Sequence, residues 1–80
     1  MAVLFDENKK VVGEFSLTQE VNAMREGCSA HSETARVIRK LLNLTQDDAP
    51  GFLYLCKDGR IVASERPEKV VAYWANEEAK

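Results

Sequence analysis

The sequence predicts an α+β domain of order ββααββα, a four-stranded antiparallel sheet with helices packed on at least one face, spanning residues 1–80 as a single compact domain. A pattern that occurs twice carries this expectation: an apolar strand, a charged turn, a second strand and an amphipathic segment. The first copy runs from Val3 through Phe15 into a helix near Leu17, and the second from Leu53 through Ala63 into a helix near Pro67. Between them lie a third helical stretch and the clearest break in the chain, Thr45-Gln46-Asp47-Asp48-Ala49-Pro50-Gly51.

The first hairpin pairs Val3-Leu4-Phe5 with Val11-Val12-Gly13-Glu14-Phe15 across Asp6-Glu7-Asn8-Lys9-Lys10. Strict alternation puts Val11, Gly13 and Phe15 on one face and Val12 and Glu14 on the other. Ser16 and Gln19 have the spacing of a capping box, and Leu17, Val21 and Met24 follow at helical intervals, up to a stop at Gly27. Ser29 or Ser32 caps a second helix through Ala35, Val37, Ile38, Leu41 and Leu42, with Leu44 a further apolar position at its end and Arg36, Arg39 and Lys40 on its polar side. Arg39 and Lys40 fall in its last turns, where cations complement the helix dipole.

In the second hairpin, Asp58-Gly59 suits a two-residue turn. That register pairs Cys56 with Ile61 and Leu55 with Val62. It places Phe52, Tyr54, Cys56, Ile61 and Ala63 on one face and Leu53, Leu55 and Val62 on the other, so that both faces are apolar. Pro67 opens the last helix, with Val70, Val71 and Trp74 as its core side.

Composition restricts the function. The chain is 45% hydrophobic and 30% charged, which argues against disorder. No apolar run approaches the roughly 20 residues of a membrane helix, and no secretory signal is visible at the N-terminus, so a cytoplasmic protein without membrane contact is expected. A net charge of −2 does not favour general attraction to phosphate or anionic lipid. The two cysteines, Cys28 and Cys56, read as small reduced hydrophobes.

Catalytic and metal chemistry find little support. Cys28-x-x-His31 has the spacing of half a metal site, but a structural zinc needs four ligands, and the other soft ligand, Cys56, stands on a distant element. No nucleophile elbow, phosphate loop or dinucleotide fingerprint is present. Asp47-Asp48 sits in a loop where carboxylates ordinarily solvate a turn. No enzyme, metal or cofactor is therefore expected.

Two binding readings remain. The favoured one is a small intracellular protein-interaction module, an adaptor or inhibitor of the kind a phage or mobile element encodes, that contacts a protein partner or forms a homodimer through its sheet. Surplus apolar residues carry it: Leu53, Leu55, Val62 and Val12, with Tyr73 supplying interface-prone aromatic surface. The alternative is a nucleic-acid-binding module using Lys9, Lys10, Arg36, Arg39, Lys40, Lys57 and Arg60 at hairpin turns and along one helix face. Asp6, Glu7 and Asp58 share those turns and weaken that field.

Overall fold

The computed structural model of the protein describes residues 2–16, 27–30 and 32–76. Six strands form one antiparallel sheet: β1 (Ala2–Phe5), β2 (Val11–Phe15), β3 (Gly27–Ser29), β4 (Leu53–Cys56), β5 (Arg60–Ala63) and β6 (Arg66–Asn76). The one helix among the described residues, α1, spans Ser32–Leu42 between β3 and β4. The spatial order β2-β1-β6-β5-β4-β3 places β6 between the two predicted hairpins. The architecture is mostly β and corrects the expected four-stranded ββααββα arrangement. The helix expected from Leu17 lies outside the described residues, as does His31.

The largest correction is β6. Pro67 and the residues after it through Asn76 form a strand rather than a third helix. Val70, Val71, Tyr73 and Trp74 are β-branched or aromatic, types that fit a pleated surface better than a helix. Their backbone groups are claimed from both sides, by β1 opposite residues 73–76 and by β5 opposite Arg66–Tyr73. Pro67 is accommodated where the β5 ladder slips between Ala63↔Arg66 and Val62↔Val70, so its missing N–H costs no ladder bond there.

Both sequence-predicted hairpins turn through the same three-residue loop. In the first, Asp6 N–H donates to the Lys10 carbonyl (2.8 Å) and Lys9 N–H to the Asp6 carbonyl (2.9 Å). In the second, Gly59 N–H donates to the Cys56 carbonyl (3.0 Å). The third loop residue is left-handed in each case, Lys9 at φ 64° and Gly59 at φ 98°. The extra residue moves the second hairpin by one position from the expected register, giving Leu55↔Ile61 and Tyr54↔Val62. Because side chains alternate, a slip of one residue changes the face on which a strand presents them.

One face of the sheet is therefore Leu53, Leu55, Ile61 and Ala63, continued by Ala72 on β6 and by Ala2 and Leu4 on β1, all essentially inaccessible. Ala35 and Ile38 of α1 pack over it in a single core cluster with Phe15, Ala30 and Ala49. Near Leu4 and Phe5 the β1–β2 ladder contains a bulge. Val12 thereby joins the residues packed against the core, while Val11 is exposed. Gly13 lies directly beneath α1, since a Cβ there would stand 3.0 Å from Leu41 Cδ1.

The helix ends at Leu42, short of Leu44. Asn43 takes the left-handed conformation (φ 57°), with Asn43 N–H bonded to the Lys40 carbonyl and Leu44 N–H to the Arg39 carbonyl, a Schellman cap. The following loop is held from within and from the helix. Asp48 Oδ2 accepts from Thr45 N–H and Thr45 Oγ1, both at 2.9 Å. Arg39 Nη2 donates to the carbonyls of Ala49 (2.9 Å) and Gly51 (2.7 Å).

Candidate functional site

The one described helix, α1, packs on the core face and not on the opposite face of the sheet. Register places Val11, Phe5, Tyr73, Arg60 and Cys56 in one row across five strands, and Val70, Val62, Tyr54 and Ser29 in the next. Alternation from Leu53 adds Phe52, the most exposed large apolar residue described at 68%. Val11, at 64%, lies on the far side of the same face. Phe5, Tyr54 and Tyr73 are half-buried, and Val62 is almost fully buried at 5%.

This geometry separates the five residues expected to form a protein contact. Leu53 and Leu55 are wholly buried under α1, and Val12 is half-buried against the core. Tyr73, half-buried, and Val62, almost wholly buried, share the face opposite α1. A two-residue turn mixes these faces, because it pairs Leu55 with Val62. With Gly59 in the third loop position, Val62 shares a face with Phe52 and Tyr54, while Leu53 and Leu55 share theirs with Ile61 and Ala63; Phe5 joins the first set through its pairing with Tyr73. Lys57-Asp58-Gly59 as a three-residue loop ending in glycine is compatible with this register, as Asp58-Gly59 is with the two-residue one.

The basic residues divide into two groups. Lys9, Lys10, Lys57 and Arg60 are exposed in or beside the two hairpin turns, which the sheet brings to the same end around Tyr73. Arg36 and Lys40 are exposed on α1, across the sheet from that cluster. Arg39 is fastened to the loop carbonyls. Among the turn cations, Arg60 Nε pairs with Asp58 Oδ2 at 2.8 Å, and this hydrogen bond holds the Asp58 carboxyl below the usual aspartate range. Lys9 Nζ stands 5.0 Å from the centroid of the Tyr73 ring, a cation–π contact.

A groove of about 220 Å³ lies between the turns. Its floor is β6 at Tyr73 and Trp74, and its walls are Phe5 with Lys9 on one side and Asp58 with Gly59 on the other. Two hydrogen bonds fasten the floor to the second hairpin: Trp74 N–H to the Gly59 carbonyl (2.8 Å) and Trp74 Nε1 to the Cys56 carbonyl (2.9 Å). The turn acids Asp6 and Glu7 line a different groove, on the side of Leu42, Leu44, Asp48, Lys69 and Val71. Within the first turn, Asp6 Oδ1 accepts from the N–H groups of Asn8 (2.8 Å) and Lys10 (3.0 Å).

Reactive chemistry has no assembled centre among the described residues. No group of three or more His, Cys, Asp or Glu is placed to hold a metal ion there. Burial pushes the Cys56 thiol up from its ordinary value, which keeps it protonated and weakly nucleophilic at neutral pH. The backbone of Cys28 pairs with Leu55 rather than Cys56, and His31, its partner in the half metal site, is not among the described residues. No described helix is long and apolar enough to cross a membrane. No protein-family model, no curated protein and no solved structure matches the chain.

Proposed function

We propose that the protein is a small non-enzymatic interaction module, an adaptor or inhibitor, that binds a protein partner or a second copy of itself through the open face of its sheet. The observation that carries this reading is the set of apolar and aromatic side chains on that face, from exposed Val11 through half-buried Phe5, Tyr73 and Tyr54 to exposed Phe52. Contiguous apolar surface of this kind marks contact sites. Tyrosine supplies large contact area at low entropic cost.

The sheet edges favour the face over strand-to-strand pairing. β2 is interrupted by its bulge and β3 is three residues long, both features that blunt an edge. Nucleic acid fits this face less well. Lys9 already covers the Tyr73 ring on which a base would stack, and Arg60 is committed to Asp58.

The test uses Phe52→Asp and Val11→Asp, both at exposed positions that leave the core intact, beside an Arg36→Ser/Lys40→Ser control on the helix. Sedimentation velocity and nuclease-treated affinity capture from the host lysate should show self-association or a defined protein partner for wild type and the helix control. Both should be lost in the two face variants. Equal behaviour of all four proteins overturns the proposal.

A further inference from the structure

The groove between the hairpin turns adds a preference to the open face. Lys9 occupies a left-handed loop position that the second hairpin fills with Gly59. A non-glycine residue there costs roughly 1–2 kcal/mol. The lysine is nonetheless kept close to the Tyr73 ring, with its ammonium over an aromatic face and its N–H bonded to Asp6. The groove beside it is walled by Phe5 and floored by Tyr73 and Trp74. Its single carboxylate, Asp58, is already bound to Arg60. Lys9 is therefore the charge left unmatched at an aromatic groove.

Resting on the open-face reading above, we propose that this groove takes a partner segment in which an apolar or aromatic side chain adjoins an aspartate or glutamate, with Phe5 and the β6 backbone between Tyr73 and Trp74 receiving the ring and Lys9 Nζ receiving the carboxylate. The complementarity is of charge and of surface together. An anion meets the unmatched ammonium, and the ring beside it leaves water for the apolar wall. A phosphate chain would satisfy Lys9 but would leave the apolar wall without a partner, and the ring of Tyr73 is already occupied.

The experiment follows backbone amide shifts and the Trp74 Nε1–H resonance of the whole protein during titration with three probes. These are acetyl-Asp-Phe-Glu-amide, acetyl-Lys-Phe-Lys-amide and an oligodeoxythymidylate of about ten nucleotides. The acidic peptide should move Phe5, Lys9, Gly59, Tyr73 and Trp74, and the basic peptide should not. Lys9→Gly should weaken the acidic peptide roughly fivefold, and Lys9→Glu should exchange the preference between the peptides. The proposal is overturned by no response to the acidic peptide, by equal responses to both peptides, or by a response to the oligonucleotide alone. Because Phe52 and Val11 lie outside the groove, loss of capture on their substitution with no peptide response here would defeat this inference and leave the open-face reading standing.

Discussion

Arg39 and Asp48 show how a side chain with functional appearance can be absorbed by structure. Arg39 lies on the polar side of α1 beside Arg36 and Lys40, yet its guanidinium bridges two loop carbonyls and holds Ala49 in the core. Asp48 stands in a carboxylate pair with Asp47, and it caps the turn that begins at Thr45. The hydrogen bonds from Thr45 N–H and Oγ1 pull its carboxyl below the ordinary aspartate value of 3.8, with Lys69 and Arg66 adding smaller attractions. A lowered folded value stabilises the protein above the ordinary range, and the stabilisation is lost as pH falls through the folded value. Asp48→Asn should therefore lower Tm most near neutral pH, with the difference from wild type shrinking as both are titrated from about pH 7 to about pH 2. A difference independent of pH would show that charge plays no part in this cap.

At the scale of elements, the two hairpins share a turn and differ in what fills it. Gly59→Ala meets both a positive φ and the Trp74 carbonyl oxygen 3.1 Å from the new Cβ, and should cost about 1–2 kcal/mol in chemical denaturation. Lys9→Gly relieves the same backbone strain but gives up the contact with Tyr73, and should change stability by less than about 0.5 kcal/mol. Equal losses in the two variants would show that loop conformation is not what distinguishes them. These turns also mark where the sequence was legible. The strand pairs of both hairpins and the helix from Ser32 follow directly from apolar patterning and capping residues. The register of the second hairpin was not visible, because Asp58-Gly59 is compatible with a two-residue and a three-residue loop. The bulge that turns Val12 inward leaves no mark in strict alternation. Gly27-Cys28-Ser29 is too short to show a period. Val70, Val71 and Trp74 fit a helical face as well as a strand, and only the vacancy between β1 and β5 decides for the strand. The corrected register separates the two faces, since Ile61 and Ala63 join Leu53 and Leu55 while Val62 joins Tyr54.

For the molecule as a whole, the sheet is built from two local groups joined by β6. On one side are β1 and β2, and on the other β5, β4 and β3. Local hairpins supply the contacts within each group, but the pairing of Ala2 with Asn76 spans nearly all of the described chain. Ordering so long a loop costs entropy before the contact rewards it. Refolding followed by Trp74 fluorescence should therefore occupy milliseconds to seconds, as for other sheet proteins, and a microsecond phase carrying the full amplitude would contradict the topology. The central place of the last strand also sets an order of events during synthesis. Until β6 leaves the ribosome, the inner edges of β1 and β5 are both unsatisfied, and the floor of the groove does not exist. The nascent chain is thus two incomplete ribbons, and the face opposite α1 is completed only after every other described strand has been made.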